Sequence, residues 1–369
     1  MQALRLPVVT EARRKQHIQV LVGLNIVAYF SAMLSIAWDT SEHVKGAVDS
    51  FWYPPHFGIY FSLLAAAFVS AYGLFLTLRS PGSLGEKLRR SPALVALTVA
   101  NIIGFTGAPF DAWWHETFGI DLTAWSPPHI HLIVGSVMVL ISCSIYFLDS
   151  RPTEDEARLL TRPSRRDLVV AAAFAMAMLL GSVGFIDYES AVTPSQTGGI
   201  SAAMVEILGR PRWSYPVAMT GFTLFILVIA TASSRRIGIA TLATAFYALG
   251  RLGLILMSRT LFDYQGIPFY PMLIPALVLD LSLAASLLVP QLRRARWAAI
   301  VLGSVLATLS MIITAPMIWS RHLVQPTLNI HPWSAYWLPV LGVGIAFGLA
   351  GWWVGTRMRA IRPDLTAQA

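Results

Sequence analysis

The chain has 369 residues, of which 56% are hydrophobic and only 12% are charged, and its mean hydropathy is +0.62. Soluble domains average about 25% charged residues, so this composition excludes an ordinary soluble globular domain and indicates several membrane-spanning segments. The single cysteine, Cys143, excludes a disulfide framework and any cysteine-rich zinc or iron–sulfur site.

Apolar runs of about 20 residues, the length that crosses a bilayer as a helix, recur along the whole chain. They predict an all-α, polytopic transmembrane bundle with about ten spans in five hairpins, forming a single membrane domain over residues 1–369. The predicted spans are 18–38, 56–79, 92–110, 129–148, 167–187, 214–232, 237–257, 269–289, 297–319 and 333–355. A polar, basic stretch leads directly into the first span, which predicts that this segment is retained and not cleaved as a signal peptide.

The lysine and arginine residues are distributed asymmetrically between the two ends of the predicted spans. Of the 27, 21 fall in the N-terminal segment, the C-terminal segment and the loops after spans 2, 4, 6 and 8. Such segments stay on the cytoplasmic side, which predicts that both termini are cytoplasmic in a bacterial-type inner membrane. Topology and contact with anionic lipids then account for the net charge of +8, and no nucleic-acid partner is expected.

The first predicted hairpin, residues 18–79, carries a cluster of acidic and imidazole side chains at its outer tip. Asp39 is followed four residues later by His43, then by Asp49, and, after two consecutive prolines, by His56. If the first span continues as a helix past Asp39, Asp39 and His43 share one face. Proline is favoured where helices start, so His56 is predicted in the first turn of the next span, close to the other two side chains.

The second predicted hairpin, residues 92–148, repeats this arrangement with Asp111, His115, Asp121 and His129. Both copies follow the pattern Asp-x3-His-x5-Asp, two or three residues, then Trp-x-Pro-Pro-His. A duplicated set of carboxylate and imidazole groups at fixed spacing indicates metal ligands. The competing interpretation is helix capping by the aspartates, but capping does not require a histidine after the two prolines.

Residue type alone does not identify the metal, because imidazole with a carboxylate suits copper(II), zinc and non-haem iron(II). Asp49 and Asp121 lie six residues after the first histidine of each copy. We expect them to accept a hydrogen bond from the second ring nitrogen of a ligand histidine. His131 fits equally well an additional ligand or a packed, hydrogen-bonded histidine.

The remaining hairpins, residues 167–355, keep the pattern only in degenerate form or not at all. Asp187 and Asp263 occupy the matching place without a histidine four residues later, and His322 and His331 have no aspartate before them. A repeated helix pair in which only some copies retain ligands is consistent with this distribution.

Two charged residues fall inside predicted spans of these later hairpins. Charged groups within a membrane are usually paired or functional. We therefore favour an ion pair between Arg251 of the seventh span and Asp280 of the eighth over a role of these residues in a substrate or proton path.

The first pattern, with Ala-Val-Asp-Ser-Phe-Trp-Tyr-Pro-Pro before its last histidine, resembles the C subunit of the copper membrane monooxygenases. These are the particulate methane and ammonia monooxygenases, and the resemblance covers about 20 residues per copy. It implies two sets of copper ligands, Asp39, His43 and His56 in one and Asp111, His115 and His129 in the other. It also implies oxidation of a small apolar substrate with O2, and other membrane subunits as partners. The chain departs from the family by having more spans and by carrying the motif twice.

Three functions remain open at this point. The first is a membrane-bound copper oxidoreductase, and the second is a non-enzymatic protein that stores, delivers or transports copper or zinc. The 12 methionines form no Met-x-x-Met array, which argues against copper(I) trafficking. The third is a structural subunit of a membrane complex, which the many small residues in the predicted spans would suit.

Overall fold

The structure is a computed structural model, and it describes most of the chain. The described residues are 11–44, 50–79, 82–118, 126–148, 158–159, 162–183, 214–262, 272–289, 291–292, 296–319 and 332–361.

These residues are predominantly helical. In chain order, the elements are α1 (Glu11–Val44), α2 (His56–Leu78), α3 (Leu84–Arg89), α4 (Pro92–Phe118), α5 (Pro127–Ile145), β1 (Arg158–Leu159), α6 (Arg165–Ser182), α7 (Ser214–Ser234), β2 (Arg236–Ile237), α8 (Ile239–Phe262), α9 (Leu273–Leu288), α10 (Arg296–Trp319), α11 (Pro332–Ala335) and α12 (Trp337–Ala360). The two short strands pair in parallel. The predicted all-α class is confirmed.

Within the described ranges, eight helices are long and apolar enough to cross a membrane: α1, α2, α4, α5, α7, α8, α10 and α12. The other two predicted spans correspond to α6, with 18 residues, and α9, with 16 residues. Large apolar side chains on the outside of the bundle, among them Val27, Phe61, Phe68 and Ile313, are more than half exposed. Lipid contact explains this exposure, because a soluble protein rarely leaves such surfaces uncovered. The chain is a multi-pass membrane protein.

Helices α1 and α4 extend further than their predicted spans, which ended at residues 38 and 110. Neither Asp39-Thr-Ser-Glu-His43 nor Asp111-Ala-Trp-Trp-His115 contains glycine or proline, so nothing local stops the helix after the apolar run. The condition that places the aspartate and the first histidine of each pattern on one helical face is therefore confirmed.

Helix α6 lies at the centre of the bundle, in contact with α1, α5, α7 and α8. Its apolar side chains, such as Ala171, Phe174, Ala175 and Met178, are at most 3% exposed. A helix that is apolar on every side has to be covered on every side. It therefore forms the inner support against which the first two hairpins pack.

Very close helix contacts hold the first two hairpins together. A Cβ atom on Gly135 of α5 would collide with the backbone of Gly104 of α4, and a Cβ on Gly104 would also approach Leu63 of α2. In the first hairpin, Gly58 of α2 lies against α1, and its carbonyl accepts a hydrogen bond of 3.1 Å from Ser31 Oγ. Small residues let helix backbones approach in this way inside membranes.

The predicted ion pair between Arg251 and Asp280 is wrong. The Asp280 carboxylate on α9 instead accepts hydrogen bonds from the backbone N–H and the hydroxyl of Thr241, at 2.9 and 2.7 Å, in the first turn of α8. Arg251 lies ten residues further along α8, about 15 Å away along the helix axis. Asp280 thus compensates the exposed N–H groups at the start of a neighbouring helix.

The starts of helices α3 and α6 are each stabilised by a capping box. Ser83 at the start of α3 exchanges hydrogen bonds with Glu86, and Ser164 at the start of α6 does so with Asp167. The hydrogen bonds from the backbone and side chain of Ser83 lower the pKa of Glu86. Asp167 also lies 3.6 Å from the guanidinium of Arg236, which ties the start of α6 to the segment before α8.

Candidate metal site

Four helix ends bring the acidic and imidazole side chains of the two patterns together. Asp39 lies near the end of α1, and His56 is the first residue of α2, directly after Pro55. Asp111 and His115 lie near the end of α4. His129 is the third residue of α5, which starts at Pro127. The positions of both last histidines in the first turn after Pro-Pro are as the sequence predicts.

The second cluster, consisting of Asp111, His115 and His129, is compact. The Nε2 atom of His115 lies 3.6 Å from Asp111 Oδ1, and the Nε2 atom of His129 lies 3.4 Å from the same oxygen. One potential ligand atom from each of the three residues falls within 4.8 Å of the others. The side chains are largely shielded, with exposures of 15%, 16% and 22% for Asp111, His115 and His129.

These separations suit the coordination of one ion. Nitrogen and oxygen ligands lie about 2.0–2.1 Å from zinc, so two ligands of a tetrahedral ion are about 3.4 Å apart. A direct N–H···O hydrogen bond is typically about 2.7–3.2 Å long, which is shorter than both distances in the cluster. The donor set of one carboxylate and two imidazoles therefore fits a transition-metal ion, with copper, zinc and iron all compatible with the residue types.

The first cluster reproduces one of the two nitrogen–oxygen distances of the second cluster, between the equivalent atoms. The Nε2 atom of His56 lies 3.4 Å from Asp39 Oδ1, which is the distance found for His129 and Asp111. His43 follows Asp39 by four residues in α1, and its backbone is helical. The side chain of His43 lies outside the described part of the structure, as do Asp49 and Asp121, so their predicted roles as ligand or hydrogen-bond acceptor stay predictions.

A single cavity of about 90 Å³ joins the two clusters. Its polar wall includes Asp39 and His56 from the first hairpin and Asp111 and His129 from the second. A water molecule needs about 10–15 Å³ of such space, so the cavity has room for several water-sized groups beside the donor atoms. The two hairpins thus present their carboxylate–imidazole pairs to one shared space.

The rest of the cavity wall is mostly apolar. Ile36 of α1, Ile59 of α2, Leu132 and Ile133 of α5 and Leu180 of α6 contribute to it. Apolar walls around a metal site control water access and lower the local dielectric constant. The cavity is therefore suited to a small molecule with little polar surface.

Aromatic side chains fix the segment that leads into His56. The hydroxyl of Tyr60 donates a 2.7 Å hydrogen bond to the carbonyl of Phe51, and the two rings stack with centroids 5.1 Å apart. The rings of Tyr53 and Tyr60 lie 6.1 and 5.9 Å from the His56 imidazole. Tyr60 also lines the cavity, so the same side chain contacts the His56 ring and forms part of the cavity wall.

His131 lies on α5, two residues after His129, and is not a member of the compact cluster. Its Nε2 atom lies 3.0 Å from the hydroxyl of Thr106 on α4, and its ring meets Phe110 edge-on at 6.1 Å. Of the two roles open from the sequence, this geometry favours the hydrogen-bonded one.

Sequence reasoning missed the hydroxyl side chains that line the cavity, Tyr60, Ser62 and Ser136. Helical spacing offered a signal for two of them. Tyr60 follows His56 by four residues and Ser136 follows His129 by seven, so each shares a helix face with the last histidine of its pattern.

The sequence patterns and the donor geometry make these residues a candidate metal site. Comparisons of the chain with protein-family models, with curated proteins and with solved structures found no match.

Proposed function

We propose that the protein is a metal-dependent oxidoreductase of the membrane, with copper as its metal and a small apolar molecule as its substrate. The single observation that carries this proposal is the cluster of Asp111, His115 and His129, whose ligand atoms lie within 4.8 Å of one another beside a mostly apolar cavity. The sequence resemblance to the C subunit of the copper membrane monooxygenases supports copper as the metal and dioxygen as the oxidant.

The donor set supports catalysis over structural metal binding. Structural zinc sites usually have four protein ligands, whereas catalytic sites have three and leave a position open for water or substrate. Three described side chains form the second cluster, and the cavity lies beside the donor groups of Asp111 and His129. Bound copper would supply one-electron redox chemistry with dioxygen at this open position.

The residues of the chain itself would bind the metal ion and limit the entry of water into the cavity. Asp111 would supply a negative charge that favours a cation in a largely shielded site, and His115 and His129 would hold that cation together with the carboxylate. The apolar residues Ile133 and Leu180 limit water in the cavity, which would favour an apolar substrate over a polar one.

We further propose ten spans in five hairpins, with both termini in the cytoplasm of a bacterial-type inner membrane and both clusters on the outer side. The distribution of 21 of the 27 lysines and arginines supports this orientation. Helices α6 and α9 supply the two spans that are shorter than the other eight.

Copper binding tests the proposal at its centre. In full-length protein purified in detergent and loaded with copper(II), Asp111→Asn should weaken copper binding at the second cluster by at least about tenfold, because it removes the charge while keeping the shape. Glu116→Gln is the matched control, since Glu116 lies on the same helix with an exposed side chain. Competition against a chelator, followed by elemental analysis, measures both variants.

Redox cycling tests the enzymatic part separately. The visible absorption of the bound copper(II) should disappear when a chemical reductant is added without oxygen, and it should return on exposure to O2. Wild-type protein that binds no copper, or an Asp111→Asn variant that binds it as tightly as wild type, would contradict the metal site. Bound copper that does not cycle would contradict the oxidoreductase and favour metal storage or delivery.

A further inference from the structure

The two clusters face each other across one space, although their residues belong to different hairpins. Asp39 and His56 come from α1 and α2, and Asp111 and His129 come from α4 and α5. All four side chains line the same cavity of about 90 Å³. Two independent sites on separate hairpin tips would each have their own surroundings.

The two carboxylate–imidazole pairs are also built alike. In each, the Nε2 atom of the histidine that follows Pro-Pro lies 3.4 Å from the Oδ1 atom of the aspartate. In each, this histidine stands in the first turn of its helix and the aspartate in the last turns of the helix before it. A pair of equivalent donor sets around one space is the arrangement that a two-metal centre needs.

The helices that carry the two pairs pack closely against one another. Gly104 of α4 meets Gly135 of α5 at backbone contact and also lies beside Leu63 of α2. The second hairpin is therefore in direct contact with the first, just below the cavity. This packing holds the two hairpins that carry the donor sets against each other.

Charge and volume are compatible with two cations in this space. Each donor set brings one carboxylate, so two negative charges offset part of the repulsion between two metal ions. The cavity is several times larger than the roughly 10–15 Å³ that one water occupies. It therefore has room for water-sized ligands beside two ions.

We propose that the two clusters form a single dinuclear metal centre, with one ion on the Asp39–His56 side and a second on the Asp111–His129 side of the shared cavity. This inference rests on the proposed function, because it assumes that the second cluster binds metal. Ions in two-metal sites are about 3.5–4 Å apart, close enough for their unpaired electrons to interact.

Copper(II) is the appropriate probe, because nitrogen and oxygen sites bind it more tightly than other divalent first-row metals. Full-length protein in detergent is loaded with copper(II), and elemental analysis is compared with electron paramagnetic resonance spin counting. We expect two copper ions per chain in the wild type, with a spin intensity well below the copper content because the two ions are coupled.

Single variants should separate the two ions. His56→Ala and His129→Ala should each reduce the stoichiometry from two ions to one, and the remaining ion should show its full spin intensity because its neighbour is gone. The double variant should bind almost none. His131→Ala is the matched control and should keep two coupled ions, since His131 is bound to Thr106 outside the compact cluster.

The outcomes distinguish the two proposals. Two ions with full spin intensity in the wild type would show separate mononuclear sites and overturn the dinuclear centre while leaving metal binding intact. A single ion that both His56→Ala and His129→Ala abolish would overturn it as well. Wild-type protein that binds no copper would overturn the proposed function itself. The wild-type spin count alone decides the question if a variant does not fold.

Discussion

Asp280 illustrates how a single acidic side chain can be retained inside an apolar bundle. Its carboxylate accepts both the N–H and the hydroxyl of Thr241 at the start of α8, and the residue is only 4% exposed. An aspartate in this position serves the same purpose as an N-cap residue, except that it comes from a neighbouring helix. It therefore connects α9 to α8 through a polar contact, in a bundle whose core is otherwise mainly apolar.

Removing this side chain should destabilise the protein. Asp280→Ala leaves the N–H and the hydroxyl of Thr241 without that acceptor, at a cost of about 1–3 kcal/mol for a buried polar group. We expect a lower unfolding temperature in detergent, measured by a fluorescence thermal melt. Thr241→Val is the matched comparison, because it removes only the hydroxyl and should produce a smaller decrease. An unchanged melting temperature for Asp280→Ala would show that the contact contributes nothing.

The sequence identified Asp280 and Arg251 as unusual but could not pair them correctly. Spacing within a helix tells which residues share a face, whereas the register between two helices depends on contacts that are distant in the chain. In contrast, the positions of His56 and His129 followed from local chemistry, since consecutive prolines mark the first turn of a helix. Predictions of local origin were therefore reliable at the site.

Among the elements, the contact between α4 and α5 controls the geometry of the second cluster. Gly104 and Gly135 let the two backbones touch, and above this contact the helices carry Asp111 and His129. Any side chain at Gly135 has to displace α5 from α4. The separation of the donor atoms therefore depends on residues that are not donors.

A branched side chain at this contact should weaken the metal site from a distance. Gly135→Val would force α4 and α5 apart, and we expect copper affinity at the second cluster to fall by about 10- to 100-fold, as when the support of a metal ligand is lost. Chelator competition measures the change. The control is Gly253→Val on α8, because a Cβ there meets nothing within 4 Å. Equal copper affinity in the Gly135 variant and the wild type would show that the cluster tolerates movement of α5.

The shared cavity could not be predicted from the two sequence patterns. Each pattern specifies its own hairpin, and the sequence left open whether two sites or one would result. What joins them is the packing of Leu63, Gly104 and Gly135, three residues of ordinary type that carry no recognisable motif. Tertiary packing of small residues provides no periodic signal of its own, so the structure was needed to reveal it.

For the whole molecule, the orientation in the membrane is the property that determines which compartment the site faces. The chain offers a direct measurement because its only cysteine, Cys143, is fully buried. Ser50, in the segment before α2, and Gly85, on α3 beyond the other end of α2, are both exposed. They therefore report on opposite sides of the membrane.

Labelling of introduced cysteines should reveal the two sides. In intact cells, a membrane-impermeant maleimide should modify Ser50→Cys and leave Gly85→Cys unmodified, because positively charged segments remain cytoplasmic. After cell lysis both variants should react, and the wild type should stay unlabelled throughout. The reverse pattern in intact cells would place the clusters on the cytoplasmic side.

The helical class and the apolar character of the helices followed from composition and from the length of the apolar runs, whereas eight of the described helices, not ten, are long and apolar enough to cross a membrane. Their ends were less accessible, since α1 continues to Val44 and α4 to Phe118, well past the hydrophobic stretches. Hydropathy records where lipid contact stops, but a helix ends only where the backbone is interrupted. The additional turns carry the donor side chains, so the difference concerns the functional part of these helices.

Leu180, near the C-terminal end of the central helix α6, forms part of the cavity wall. A fragment containing only the first two hairpins would therefore keep every donor atom but would open that part of the wall to acyl chains or detergent. The later three fifths of the polypeptide, which lack intact copies of the pattern, would then matter to the site by covering the cavity and not by supplying ligands.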